Sequence, residues 1–119
     1  MKNKFGFILV NPQLGENIGA CARSMKNFNF KKLNIVSPKF AFPNHKTKVT
    51  SVGAYDIINN AKVFKNIEEA INEFDIVISL SARRRDINKK HISFKDFKDI
   101  LKKRASSKFG FMFGPESSG

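Results

Sequence analysis

Blocks of apolar residues along the chain predict five β-strands. The runs are compact and are bounded by polar or turn-forming positions, which is typical of strands buried in a parallel sheet. The predicted strands are Phe5–Asn11, Leu33–Ser37, Ala61–Lys65, Asp75–Ser81 and Lys108–Gly114. After the first of them, Asp75–Ser81 is the clearest candidate for a central strand.

Segments with helical periodicity separate these strands. The apolar residues of Gly15–Phe28 recur on one stripe, formed by Ile18, Cys21, Ala22, Met25 and Phe28. Helices are also predicted over Thr47–Ile58, Asn66–Phe74 and Ser93–Lys103, with the first residue of each as its N-cap. This alternation implies one α/β domain over residues 1–119, with a parallel sheet and right-handed crossovers.

The charge of the chain indicates what it binds. Its formal net charge is +12 at pH 7. A domain this basic is attracted to polyanions, and nucleic acid is the usual one. The alternative is a compositional bias, because Lys, Asn, Ile and Phe are abundant together. No apolar run approaches the roughly 20 residues that span a bilayer, so no membrane segment is predicted.

Cysteine and histidine usage argues against disulfide and metal chemistry. Cys21 is the single cysteine, which excludes an internal disulfide and fits a reducing cytoplasm. His45 and His91 stand alone, without partners at the spacing of metal ligands, so no metal site is predicted.

Three polar or glycine-bearing segments follow predicted strands. Ligands of open α/β sheets bind outside the carboxyl ends of the strands. The segments at such ends are Asn11–Gly19, Ser79–Arg85 and Gly114–Gly119. They come together only if the strands that precede them are neighbours in the sheet.

The first segment leads into a helix that carries an arginine. Gly19 and Arg23 are four residues apart, so they share a helix face. With Gly19 and Ala20 beneath it, the Arg23 guanidinium is expected to have room for a planar anion such as a phosphate. The alternative is a solvated arginine on an amphipathic helix, with Asn17 as a helix cap.

The other two segments are ambiguous when taken alone. Small residues at the end of Asp75–Ser81 leave space for a ligand, and the arginines that follow, Arg83, Arg84 and Arg85, suit a phosphodiester. An ordinary connection with a solvated charge run explains them as well. Gly114 lets the backbone approach a ligand closely, and Glu116 is the carboxylate beside it. A plain turn before a helix is the alternative.

Taken together, the segments resemble the motifs of the SpoU (SPOUT-class) RNA methyltransferases. The first motif of that family is an Asn-x-Gly that precedes an Arg, and here it reads Asn17, Gly19 and Arg23. The second is Phe-Gly-x-Glu-x-x-Gly, and here it reads Phe113, Gly114, Glu116 and Gly119. The LSARRR segment matches the family's Thr-Ser-Ala-Arg, and the resemblance covers the whole chain in order and spacing.

The resemblance implies an S-adenosylmethionine-dependent RNA ribose 2′-O-methyltransferase. It makes Arg23 the catalytic arginine, lets Asn17 position the substrate and makes Glu116 the anchor of the pocket loop. It implies cofactor contacts, largely through the backbone, at Leu80, Ser81, Ala82 and Gly114. The residues expected to contact RNA are Arg23, Arg83, Arg84 and Arg85.

The family also sets expectations beyond the site. It implies a Rossmann-like SPOUT fold, a homodimer, and tRNA as the substrate through its anticodon loop, with ribosomal RNA left open. Its members continue into a third motif that forms a trefoil knot, and the chain is expected to lack this segment. The alternatives are a non-catalytic RNA-binding remnant of the family and an unrelated nucleotide-binding α/β domain.

Overall fold

A five-stranded parallel sheet forms the centre of the protein. The computed structural model describes residues 5–79, 94–104 and 106–114. The strands are β1 (Phe5–Val10), β2 (Lys32–Val36), β3 (Lys62–Phe64), β4 (Ile76–Ser79) and β5 (Phe109–Phe113). Their order is β3-β2-β1-β5-β4, and each neighbouring pair is parallel. The predicted α/β class and all five strands are therefore confirmed.

The position predicted for the fourth strand is wrong. Among the described residues β4 lies at the edge of the sheet, because β5 is inserted between it and β1. Ile76 and Val77 are accordingly only half-buried. The apolar run identified a strand correctly, but an apolar run does not distinguish an edge strand from a central one.

Helices follow the strands as predicted, with one exception. They are α1 (Gly15–Asn27), α2 (His45–Thr50), α3 (Tyr55–Asn60), α4 (Ile67–Ile71) and α5 (Phe94–Lys103). The single helix predicted over Thr47–Ile58 is instead the pair α2 and α3. Gly53, with φ of +77°, adopts the left-handed conformation between them, which interrupts a right-handed helix.

The helix caps were predicted with mixed success. Asn66 caps α4, because its side-chain oxygen accepts a hydrogen bond of 2.8 Å from the Glu69 amide. Thr47 is not the cap of α2, which begins earlier. Asn44 caps that helix, and Asn44 and Thr47 exchange side-chain to backbone hydrogen bonds of 2.9 and 3.0 Å as a capping box. Ser93 lies outside the described residues.

The carboxyl end of α1 explains why Phe28 does not belong to the buried stripe. Ile18, Ala22 and Met25 are fully buried as predicted, but Phe28 is 70% exposed. Asn29 has a φ of +67°, and the amide of Phe30 donates to the Met25 carbonyl at 2.8 Å. This is a Schellman motif, which ends the helix and turns Phe30 rather than Phe28 onto the core.

The sheet has helices on both sides. On one side α1 and α3 cover Leu33 and Ile35, and α2 packs on α1. The same side carries paired phenylalanines, because Phe5 lies opposite Phe109 and Phe7 opposite Phe111 in the register of β1 and β5. On the other side α4 covers Ile8, Val10 and Val36.

The α4 side is held by an aromatic ring and a polar network. The ring of Phe74 lies against Gly6 and Gly110, which face each other in the sheet register, so neither position has space for a Cβ. The buried Asn34 side chain donates to the Ala70 carbonyl at 2.9 Å and to the Glu73 carboxylate at 2.8 Å. Glu73 also pairs with Lys32.

Candidate active site at the carboxyl edge of the sheet

The three segments singled out by the sequence begin at neighbouring strand ends. β1, β5 and β4 are adjacent in that order, with Leu9 opposite Phe113 and Ser79 opposite Met112. The expected convergence of these strand ends is therefore confirmed. Ser79 and Gly114 are both exposed, so the edge between β4 and β5 is open to solvent.

A tight turn carries the chain from β1 into α1. Asn11 has a φ of +49°, which asparagine tolerates better than most residues, and its amide donates to the Val36 carbonyl at 2.7 Å. The Pro12 carbonyl accepts a 3.0 Å hydrogen bond from the Lys39 amide. These bonds fix the start of α1 at the carboxyl edge.

Asn17 is exposed in the first turn of α1. The N-cap of the helix is Leu14, which makes no side-chain capping bond. Asn17 is the third helical residue, so the alternative interpretation of Asn17 as a cap is wrong.

Arg23 lies on the surface of α1 at some distance from Asn17. A separation of six residues places the two side chains about 120° apart around the helix axis and about 9 Å apart along it. Arg23 is exposed, and within the described residues it makes no hydrogen bond or ion pair. The two side chains therefore do not form one compact binding site for a small group, but both can contact an extended ligand.

Carboxylates on the Arg23 side of α1 are occupied by lysines. Glu16 pairs with Lys46 at 3.8 Å, and Asp56 pairs with Lys26 at 2.9 Å. The hydrogen bond from Lys26 lowers the pKa of Asp56 below its ordinary value. These exposed pairs contribute little stability, but they leave the Arg23 guanidinium available for an external anion.

Gly19 does not create room for a ligand. A Cβ at Gly19 would lie 2.7 Å from the Thr50 Cβ and 2.9 Å from the Thr50 carbonyl carbon. At Gly15, one turn earlier, it would lie 2.9 Å from the Asn44 side-chain oxygen. The expectation of open space above Gly19 is therefore wrong, because α2 fills that space and the two glycines let it pack closely on α1.

Sequence reasoning did not identify α2 as a support of the site. Thr50 and Thr47 contact the glycine face of α1, and Thr47 is fully buried. The signal was present in the spacing of Gly15 and Gly19, because small residues four apart on a helix allow another helix to approach closely.

Cys21 lies inside the first motif but is not a nucleophile. Burial raises the pKa of its thiol to about 11, so the thiol is neutral at physiological pH. Within the described ranges no group of three or more metal-ligating side chains is present. In the same part of the chain no helix is long and apolar enough to cross a membrane.

Seven of the other predicted site residues lie outside the described residues, namely Leu80, Ser81, Ala82, Arg83, Arg84, Arg85 and Glu116. Gly114 is described, and its exposure at the end of β5 suits a close approach of backbone to ligand.

Comparison with known proteins identifies the family. Residues 4–119 match the model of the SpoU rRNA Methylase family. The chain belongs to this family. The alternative of an unrelated nucleotide-binding domain is therefore wrong, and the resemblance of the motifs to SpoU enzymes is confirmed.

Individual SpoU relatives are methyltransferases that carry tRNA in their names. Over 116 residues the chain is 37% identical to the tRNA (cytidine-2′-O-)-methyltransferase TrmJ of Methanocaldococcus jannaschii, covering 94% of this chain and 49% of that protein. It is 35% identical over 114 residues to LasT of Escherichia coli, an uncharacterized tRNA/rRNA methyltransferase, covering 94% and 50%.

A solved SpoU structure has the same fold. The crystal structure of TrmJ from Z. mobilis matches with a TM-score of 0.85 and 33% identity, covering 96% of this chain and 51% of that one. The predicted SPOUT fold is confirmed. The chain spans about half the length of these relatives.

Proposed function

We propose that the protein is an S-adenosylmethionine-dependent RNA ribose 2′-O-methyltransferase that acts on tRNA. The observation that carries the proposal is the SpoU family match over residues 4–119. The ribose 2′-oxygen and tRNA are suggested by the name of the TrmJ relative from M. jannaschii, a tRNA (cytidine-2′-O-)-methyltransferase. The net charge of +12 supports an RNA partner.

The methyl donor would bind at the carboxyl ends of β4 and β5. The exposure of Ser79 and Gly114 at these adjacent ends fits a ligand held by backbone groups. Residues 80–82 and Gly114 would hold S-adenosylmethionine, and Glu116 would anchor the loop. When bound, this group supplies an electrophilic methyl on a sulfonium.

Arg23 would bind the phosphate next to the target ribose. A guanidinium stays protonated near neutrality, so Arg23 cannot serve as the general base. Its planar fork can instead hold a phosphate in two hydrogen bonds, which aligns the ribose 2′-oxygen and lets a phosphate oxygen take the hydroxyl proton. Arg23 is exposed and has no partner among the described residues, which supports this role.

Other residues would guide the RNA to this position. Asn17 would position the substrate at the open sheet edge, about 9 Å along α1 from Arg23. Arg83, Arg84 and Arg85 would contact phosphates of the RNA, since they follow β4 in the sequence. We also propose that the full-length protein is a homodimer and that it acts in the cytoplasm.

Transfer of labelled methyl groups to RNA tests the proposal. The full-length protein is incubated with labelled S-adenosylmethionine and either tRNA or ribosomal RNA. We expect label in tRNA, at a position where alkaline hydrolysis no longer cleaves the backbone, because a methylated 2′-oxygen cannot attack the neighbouring phosphate. Arg23→Ala should reduce kcat/KM at least about 100-fold, the usual scale for loss of a positioned charge.

Matched variants decide what Arg23 contributes. Arg104→Ala removes the same side chain from an exposed position directly after α5 and should leave transfer unchanged. Arg23→Lys keeps the positive charge but loses the planar guanidinium. Full activity in this variant would contradict a role that depends on two hydrogen bonds from Arg23 to the phosphate. Label in neither RNA, together with salt-sensitive tRNA binding, would support the alternative of a non-catalytic RNA-binding module.

A further inference from the structure

A second basic feature lies at the opposite edge of the sheet. A cavity of about 310 Å³ opens at the amino ends of β1, β2 and β3. Its lining consists of Phe5, Lys31, Lys32, Leu33, Asn34, Asn60 and Lys62. None of the motif residues that the structure describes lines this cavity, so that part of the proposed active site does not account for it.

Two of the three lysines of this cavity are not neutralised. Lys32 pairs with Glu73, whose second oxygen accepts from Asn34. Lys31 and Lys62 are exposed and make no ion pair within the described residues. One carboxylate therefore faces three ammonium groups, and the cavity keeps a positive charge.

The helix ends at this edge do not neutralise that charge. Cations near helix C-termini can simply complement the exposed carbonyl groups. At the end of α1, however, amides of residues 28–30 already donate to the last carbonyls. At the end of α3 the Ala61 amide donates to the Ile58 carbonyl, and this helix has only six residues. Lys31 and Lys62 thus remain available to a solvent-borne anion.

The walls of the cavity favour a phosphate over a nucleobase. The ring of Phe5 already packs against the rings of Phe30, Phe109 and Phe111, so it forms a fixed wall rather than a free stacking platform. Asn60 is exposed and provides amide hydrogens beside the two lysines. Ammonium and amide donors without a free aromatic face suit phosphate oxygens.

We propose that this amino-edge cavity binds a backbone phosphate of the substrate RNA through Lys31 and Lys62. The inference rests on the proposed function, because it takes the RNA of the methyl-transfer reaction as its ligand. A strand of six residues is about 20 Å long, so an RNA that engages both edges of the sheet must extend at least this far. A folded RNA such as tRNA meets this requirement and a mononucleotide does not.

Salt-dependent tRNA binding by variants of the full-length protein tests the inference. Each phosphate contact contributes roughly 0.7–0.9 to the slope of log K against log salt. Lys31→Ala/Lys62→Ala removes one phosphate contact, so it should reduce that slope by roughly 0.8 and weaken binding about sixfold near 0.1 M salt. The control Lys65→Ala/Lys102→Ala removes the same charge from exposed positions elsewhere and should change the slope much less. Thermal unfolding confirms that both double variants are folded.

Kinetics separate the failure of this inference from the failure of the proposed function. We expect Lys31→Ala/Lys62→Ala to raise KM for tRNA and to leave kcat unchanged, and Lys31→Arg/Lys62→Arg to restore KM. If the two alanine double variants showed equal salt slopes for tRNA binding, the inference would be overturned, and the proposed methyl transfer would be unaffected. If Lys31→Ala/Lys62→Ala lowered the salt slope of tRNA binding but the wild-type protein transferred no methyl group, the result would support the cavity and contradict the proposed function. If inorganic phosphate raised the thermal unfolding temperature of wild type but not of Lys31→Ala/Lys62→Ala, while the two proteins bound tRNA equally, the ligand would be free phosphate rather than RNA.

Discussion

The side of the sheet covered by α1 and the side covered by α4 both depend on glycine for close packing, but they use it differently. On the α1 side Gly19 admits Thr50 of α2, and the same helix presents Asn17 and Arg23 to solvent. On the α4 side Gly6 and Gly110 admit the ring of Phe74, and the neighbouring Lys32 lines the proposed phosphate cavity rather than the proposed active site. Packing on the α1 side should therefore affect kcat as well as stability, and packing on the α4 side should affect stability but not kcat.

The largest stability effect is expected from Gly19→Val. The added atoms meet the Thr50 backbone as well as its side chain, so α2 or α1 must move. Overpacking of this kind costs about 3 kcal/mol in unfolding free energy, which denaturant unfolding measures. Methyl transfer per folded molecule should also fall, because Arg23 lies one turn away on the same helix.

A neighbouring alanine provides the control for Gly19. Ala20 is exposed on α1, so Ala20→Val should change the unfolding free energy by no more than about 0.5 kcal/mol. If Gly19→Val were as stable as Ala20→Val, the close packing of α2 on α1 would be refuted.

The matching change on the α4 side is Gly6→Ala. A Cβ at Gly6 would lie 2.7 Å from the Phe74 Cε1 and 3.2 Å from the Lys32 Cδ. We expect a loss of about 2 kcal/mol in unfolding free energy, with kcat of the folded protein unchanged. The cost should shrink in a Phe74→Leu background, and a fall in kcat would contradict the separation of the two sides.

Most of the secondary structure could be predicted because it depends on local patterns. The five apolar runs are strands, and Ile18, Ala22 and Met25 are buried at helical spacing. Strand order could not be predicted, since the insertion of β5 between β1 and β4 pairs residues that are distant in the sequence. The break at Gly53 was visible in the sequence, but a glycine inside a helical pattern is often tolerated.

The sequence could nominate residues for the candidate site, whose chemistry stays a prediction, but it could not predict their packing. The motif spacing identified Arg23, which is exposed and unpaired within the described residues. The same spacing suggested that Gly19 leaves room for a ligand, whereas Thr50 occupies that room. Which neighbour a glycine admits depends on tertiary contacts, so a single sequence could not distinguish a ligand from a helix.

Helix caps on the two sides allow a finer comparison. Asn44 caps α2, which supports α1, and Asn66 caps α4 on the opposite side. Asn44→Ala and Asn66→Ala should each cost about 1 kcal/mol in unfolding free energy. Only Asn44→Ala should also lower kcat/KM, because it loosens the helix that packs on the glycine face of α1. Equal kinetic effects from both variants would show that α2 has no special influence on the site.

The smallest effect is expected from the ionisation of Glu73 on the α4 side. Burial raises the pKa of this carboxyl. Hydrogen bonds from Asn34 and Lys32 lower it, as do the charges of Lys32 and Lys62. The lowering is larger, so the pKa lies below its ordinary value of 4.5. A lowered folded-state pKa means that the carboxylate stabilises the fold above the ordinary value, and that this contribution is lost as the pH falls through and below it. The pair is partly exposed, so its contribution should stay below about 1 kcal/mol.

Glu73→Gln should therefore be less stable than wild type near neutral pH and approach it under acid conditions, as measured by urea unfolding across pH. The pH profile of kcat should be the same in both proteins, and a shifted profile would connect the α4 side to the methyl-transfer step.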